Sequence, residues 1–548
     1  MNEPTWDVGA PGQWAVDVSH MPGGTTALLQ EIQTRAMPAG MRRVFADLGT
    51  PADTLDARFV NGFFYSRLRP LISPDKPAKK QPPAVVLRIA TRLHPEMRRR
   101  NRAAQATMRE KPWRAVIRDW HGGARAAIVE QNLALQDVDL EGVDDATLVA
   151  HAQACIAHCA HSWEHHFWLH GFDVGPIGIY LFEAAEWGLT PRDLLPLLEG
   201  ASPSTSAPRR ELVRIRDLIA ATGRTPRTLD EARGVSPEVA IAIDGYLRLH
   251  GASLFSRYDL DGVTLGERPD LLLATILAAE PPPEYDGVAA LTAAVRERVP
   301  VGGRARFEEL LHDARDAMDL RDDNGPVTAE WPLGLLRLAL LEVGRRLEAR
   351  GIVASADHAL ELRTAEITEA LMGGGGVGGD ELAARAALRA WQKTLVPPAV
   401  IGDPELAPPL DVLPPALGRM VAMVQLVIAQ MGMDGAERTS GLHGKGVGTS
   451  SIRGRACVAT SAEEALDTLE PGDILVVLST TPAYNLVLSL AGGVVTAEGG
   501  LMSHAAVLSR ELGIPAVIGA TGALTDIPHG AEIEVDPVAG EVRVLSVT

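Results

Sequence analysis

The chain is poor in cysteine, in net positive charge and in long apolar runs, and each shortage excludes something. Three cysteines in 548 residues, Cys155, Cys159 and Cys457, cannot frame a fold of this length with disulfides, which fits a reducing compartment. With 52 basic against 70 acidic residues the formal charge is −18, so the chain as a whole repels a nucleic-acid backbone and no nucleic-acid partner is expected. The opening residues, MNEPTWDVGAPGQW, hold no basic stretch followed by an apolar one, so no secretory signal is expected. The best membrane candidate, residues 416–432, is about 17 residues long and carries Arg419 and two glutamines, too short and too polar for a span. It reads as a buried helix. A cytoplasmic protein without a membrane partner is the expectation. No internal repeat points to a solenoid.

What is present is a globular composition, 46% hydrophobic and 22% charged, in a chain longer than one core organises. Two or more domains are expected. Residues 1–396 are rich in Ala, Leu, Arg and Glu, with apolar residues three and four apart, as in 24–48, 144–169 and 332–351. That spacing predicts a mostly α-helical domain. A glycine run at 373–379 reads as a loop, and Pro397, Pro398, Pro404, Pro408, Pro409, Pro414 and Pro415 then deny the chain helix and sheet bonds. Residues 397–435 are therefore expected to be a proline-rich linker ending in a helix. Beyond it, short runs such as GDILVVLS, GGVVTAE, PAVIGA and AEIEVDP alternate with turn residues, and one helix is well marked at 503–513. The prediction for 436–548 is a small α/β domain.

The most informative stretch is GGVVTAEGGLMSHAAVLSRELGIPAVIGA, residues 492–520. It reads as a strand, a Gly499–Gly500 turn and a helix that opens on Ser503 and His504. Glycines there permit positive φ and close approach, and a helix start offers unpaired N–H groups and partial positive charge, which suits an anion. An imidazole at that point is either a packed helix-terminal residue or a nucleophile beside a phosphate site, and spacing alone leaves both open.

The run resembles the phosphohistidine signature of the swivelling domain of PEP-utilising enzymes, through Thr496, Gly499, Gly500, His504, Ala505, Ala506, Arg510, Gly513, Ile514, Pro515, Ala516 and Val517. Upstream, Gly446, Gly448, Gly454, Ala456, Pro471-Gly472-Asp473 and Thr481-Pro482 extend the likeness to about 440–548. The resemblance implies that His504 carries a phosphoryl group between two sites, with Thr496, Gly499, Gly500, Ser503 and Arg510 as its phosphate-binding surroundings. Arg510 lies about 240° round the helix from His504, so contact between the two in one conformation is not assumed.

The helical region, in VDVSHMPGGTTALLQEI, LDARFVNGFFYSRLRP and later segments, resembles the substrate domain of rifampin phosphotransferase and PEP-synthase-like enzymes. Relatives often carry Gly-x-Arg where this chain has Gly251-Ala252-Ser253, so Arg257 is the candidate replacement, and Arg337 is a further candidate contact. Residues 151–170 gather His151, Cys155, His158, Cys159, His161, Glu164, His165, His166 and His170. Nothing is spaced to close a zinc site, so no metal is expected; His161, Glu164 or His165 could take a proton from an acceptor hydroxyl. The arginines from Arg88 to Arg118 form either a solvated helix face or a landing site for the phosphohistidine domain or an acidic partner subunit.

No Gly-x-x-x-x-Gly-Lys-Ser/Thr run is present, and Lys445 is the only lysine in a glycine-rich setting. The expectation is a carrier-and-acceptor component of secondary metabolism that binds no cofactor by itself. A separate ATP-grasp subunit would supply ATP and Mg, and a small molecule would supply the hydroxyl. The same scaffold could instead serve a dehydratase, lyase or cyclase, or a non-catalytic binding protein.

Overall fold

The computed structural model describes residues 4–546 apart from 19, 22, 77–79, 81, 283–284, 374–375, 432–440 and 481–483. The expected boundary at 435/436 and the Thr481-Pro482 pair lie outside the described residues. Contacts divide the chain into two compact units, both discontinuous: residues 1–172, 258–262 and 324–422, and residues 173–257, 263–323 and 423–548. The division is by contact and not by sequence order. The helices before residue 397 are shared between the units, and those of 173–257 and 263–323 group with the C-terminal α/β segment.

The first unit is mostly helical, as its apolar spacing requires. Helix Ala27–Leu48 buries Leu28, Leu29, Ile32, Ala36, Met37, Val44 and Leu48, one stripe at intervals of three and four, and ends on Gly49 at φ 78°. It passes the helix Asp145–Ala184 so closely at Gly40 that a Cβ there would lie 2.3 Å from the Glu164 carbonyl oxygen. Helix Trp331–Ala349 is buried along most of its length. Beside these helices lies a sheet that helical periodicity did not indicate. Strands β1 (Trp14–Val16), β2 (Ala52–Val60), β3 (Phe63–Pro70) and β4 (Val400–Ile401) lie in the order β2-β3-β1-β4, each antiparallel to its neighbours. Asn61 and Gly62 turn β2 into β3 with φ of 49° and 76°, the left-handed pair a tight hairpin needs. The proline-rich connector supplies β4, and Tyr65 donates its hydroxyl to the Pro398 carbonyl at 2.9 Å. A connector expected to lack sheet bonds thus contributes an edge strand, where proline is tolerated.

The second unit has a helical part and a sheet. Helices Pro203–Ala220, Pro237–His250 and Pro269–Ala278 pack Ile215, Ile219, Val239, Ile243, Leu272 and Ile276 into one core. The sheet contains β5 (Lys445–Val447), β6 (Ile452–Val458), β7 (Ile474–Val477), β8 (Gly493–Thr496), β9 (Ala516–Ile518), β10 (Glu532–Asp536) and β11 (Glu541–Ser546), in the order β11-β10-β6-β7-β8-β9-β5. Strands β6 to β9 run parallel, and β5, β10 and β11 are antiparallel to their neighbours. Parallel strands are covered on both faces, which is why ILVV, GVVT and AVI are buried throughout. No helix among the described residues is long and apolar enough to cross a membrane.

Candidate functional site

The connection from β8 to β9 makes the site. The chain leaves Thr496, turns at Gly499 with φ 116°, and enters the helix His504–Leu512. Gly499 is required twice over: its φ disfavours other residues, and a Cβ would lie 3.0 Å from Ser503 Oγ and 3.1 Å from Ile518. Gly500, expected to share that freedom, is not among the positive-φ glycines; its carbonyl accepts the Ser503 N–H at 3.0 Å. Ser503 is the N-cap, its hydroxyl accepting from Ala506 N at 3.4 Å. Gly513 at φ 69° closes the helix.

His504 opens that helix, half-buried, and both ring nitrogens are engaged. Nδ1 lies 2.9 Å from Thr480 Oγ1, and Nε2 lies 2.9 Å from Asn485 Oδ1. Thr480 is buried and Asn485 exposed, so one ring edge faces the protein and the other solvent. Neither partner was identified from sequence. Thr480 stands three residues past the carboxyl end of β7, and β7 lies parallel beside β8, so pairing brings the two loops together. The signal was the run VVLSTTPAYN, read only as a strand followed by Thr481-Pro482.

The remaining expected residues brace the loop. Thr496 is fully buried, donates to the Glu498 carbonyl at 2.7 Å and accepts from Gly519 N at 3.3 Å. Arg510 donates to the Leu501 carbonyl at 2.7 Å, and Arg321 to the Met502 carbonyl at 2.8 Å, so two guanidinium groups hold consecutive carbonyls just ahead of the N-cap. Burial pushes Arg510 down to about 10, against the opposing pull of Glu199. Glu511 accepts from Tyr285 Oη at 2.9 Å and Gly200 N at 3.2 Å, and burial raises its carboxyl.

The candidates in the helical region do not converge. His161 is exposed and Glu164 half-buried. His165 stacks on Trp168 at 5.2 Å, Arg43 lies 4.1 Å from the Trp168 ring, and burial with Arg43 and His161 pushes His165 down to about 4. Arg337 is buried and donates to the Leu260 carbonyl at 2.8 Å, and Arg257 is half-buried. The polar residues that cluster are others on the same long helix. His166 Nδ1 lies 3.1 Å from Thr328 Oγ1, and His166 Nε2 lies 3.1 Å from His170 Nε2. Tyr258 donates to Glu330 at 3.1 Å, and burial holds the Glu330 carboxyl up to about 8. Thr328 and Glu330 belong to a π-turn, Pro326–Glu330, which opens where Pro326 lacks an N–H.

A separate open concavity in the first unit, about 550 Å³, is lined in part by Trp14, Pro38, Asp56, Arg58, Arg67 and Arg69. Its arginines are largely committed: Arg67 to Glu405 at 2.6 Å, and Arg69 to Asp53, Asp56 and Asp75. Among the described residues no group of three or more His, Cys, Asp or Glu side chains could hold a metal ion. Arg99 and Arg100 of the basic island pair with Glu96, and Arg88 with Asp411.

Residues 469–540 match the family described as PEP-utilising enzyme, mobile domain. This segment is a mobile domain of the PEP-utilising type. Its site loop, helix and both ring partners of His504 fall inside the match. Among curated relatives, an uncharacterised protein of Mycobacterium tuberculosis is 31% identical over 353 residues, 64% of this chain and 36% of that protein. Chondramide synthase of Chondromyces crocatus is 26% identical over 571 aligned positions, 97% of this chain and 14% of that protein. Rifampicin phosphotransferase of Streptomyces sviceus is 42% identical over 105 residues, 19% of this chain and 12% of that protein. The chain thus spans about a third of the mycobacterial relative and a smaller share of the others.

Proposed function

We propose that this chain is the carrier and acceptor component of a phosphohistidine phosphotransferase. His504 takes a phosphoryl group from a nucleotide held by an ATP-grasp partner with Mg, and gives it to a hydroxyl of a small organic molecule bound by the helical part. The observation that carries the reading is the setting of His504, at a helix start behind the Gly499 turn with its ring aimed by Thr480 and Asn485. The names of the rifampicin phosphotransferase and PEP synthase relatives support the same chemistry.

A nucleophilic imidazole needs one nitrogen protonated and the other with its lone pair toward the phosphorus. A hydroxyl accepts as well as donates, so Thr480 holds a proton on Nδ1. The Asn485 carboxamide, turned about Cβ–Cγ so that its nitrogen takes the place of Oδ1, then donates to the Nε2 lone pair and gives way when the phosphoryl group arrives. Nε2 is on the exposed side and is the nucleophile in this reading. As the N–P bond forms, the donor P–O bond breaks and its electron pair leaves with the nucleotide. The helix start and the Ser503 region then face the phosphoryl oxygens, where partial positive charge favours them. In the second half-reaction the acceptor oxygen attacks phosphorus and the N–P electron pair returns to the ring.

The test mixes the chain with a stand-alone ATP-grasp protein and ATP labelled at the β or γ phosphorus. Acid-labile, base-stable label on wild type and none on His504→Ala is the expected result. Equal label on both, or none on wild type with any donor, overturns it.

A further inference from the structure

In the first unit, Asp17 and His20 form a carboxylate–imidazole pair. Asp17 Oδ1 accepts the His20 backbone N–H at 3.0 Å, and Asp17 Oδ2 lies 2.9 Å from His20 Nδ1. The carboxylate can only accept, so the ring proton sits on Nδ1 and the lone pair on Nε2. The His20 side chain is 51% exposed, open to a ligand. Asp17 raises its proton affinity, and His20 lies close enough to His166 for its charge to depress the ionisation of that buried ring. The groups facing His20 are thus Asp17 from its own turn and His166 from the long helix.

The neighbouring rings have a defined proton order. The Thr328 hydroxyl donates to Asn324, to its carbonyl at 2.5 Å and its side-chain oxygen at 2.8 Å, and so accepts from His166 Nδ1–H. His166 Nε2 then accepts from His170 Nε2–H. His166 is neutral, both its nitrogens are committed, and burial keeps it so. Of the three rings His20 is the exposed one and the one paired with a carboxylate, which favours its uptake of a proton.

We infer that His20, aimed by Asp17, is the base that takes the proton of the acceptor hydroxyl in the second half-reaction. The inference rests on the phosphocarrier reading and names the acceptor side of it. As the acceptor oxygen forms its bond to phosphorus, its proton passes to His20 Nε2, and the phosphorus–nitrogen pair returns to His504. Atoms and charge balance without a further reactant. Asp17 is a positioning residue, stabilising the imidazolium that results.

The half-reactions separate the two claims. The full chain is loaded at His504 with ³²P-phosphoramidate, which transfers phosphorus to imidazole without a nucleotide partner. Discharge is then followed with phenol, glycerol and pyruvate as probe acceptors of phenolic, aliphatic and enolic type. His20→Gln is expected to load as wild type, since loading reports on His504 and its loop, and to pass label to the accepting probe about 100-fold more slowly. Asp17→Asn is expected to shift the pH profile of discharge downward, and NMR titration of the His20 ring to show the same fall. Discharge by His20→Gln at the wild-type rate overturns the base assignment and leaves the carrier reading standing. Wild type that loads but passes label to none of the probes also overturns the assignment. Failure to load takes the carrier reading down, and the assignment with it.

Discussion

A histidine is a carrier only if its ring is held, and two side chains hold His504. Thr480→Val removes the hydroxyl against Nδ1 and frees the proton to move to Nε2; loading of His504 is expected to slow about 10- to 100-fold with the fold intact, as measured by label incorporation and circular dichroism. Gly499→Ala puts a methyl group 3.0 Å from Ser503 Oγ at a φ that disfavours it, at a cost of about 1–3 kcal/mol, and is expected to lower both loading and melting temperature. Glu330 supplies a pH signature. Its carboxyl ionises near 4.5 when unfolded and at about 8 when folded, so the folded state binds the proton more tightly. The stabilisation is full below 4.5 and is lost as pH rises through 8. Between pH 6 and 9 the melting temperature of wild type is expected to fall about a few degrees more than that of Glu330→Gln. An equal fall in both would place the Glu330 proton elsewhere.

At the scale of elements, the segments that repeat a simple period were legible and those set by turns were not. Helix Ala27–Leu48 and the buried strands β7, β8 and β9 follow from periods of 3.6 residues and from unbroken apolar runs. Strands β1 to β3 were missed because helical spacing around them dominates the composition, although Asn61-Gly62 between ARFV and FFYS was a hairpin signal in plain view. Strand β4 had no signal: two residues among prolines become a strand only because β1 offers an open edge. The close crossing at Gly40 is likewise invisible in sequence, where the residue looks like a weak point in a helix. Gly40→Val places its side chain against the Glu164 carbonyl and the Phe167 Cβ at 2.8 Å; a loss of about 1–3 kcal/mol, read as a lowered melting temperature, is expected. The same crossing positions the His166–His170 segment, so this variant should also disturb those rings in an NMR spectrum.

Over the whole molecule, the three cysteines are buried, and burial pushes Cys155 up to about 12 and Cys159 further. The native chain is expected to consume no thiol reagent at neutral pH and the denatured chain three equivalents; reaction in the native state would show that the core opens. The amino-acid order alone determined that helices dominate the first part, that a small α/β unit follows, and that His504 enters a helix behind glycines. Those are local facts, set by periodicity, φ freedom and a motif contiguous in the chain. Only the tertiary structure decided what surrounds that histidine and which polar side chains of the long helix gather. Thr480 and Asn485 reach His504 because β7 and β8 pair in parallel, 24 and 19 residues away in sequence. His166, and not His161 or His165, joins the polar cluster because the rotation of one helix is fixed by packing against others distant in the chain. Residue types can be read in order, but the face a helix buries and the loops two strands bring together depend on partners far along the chain.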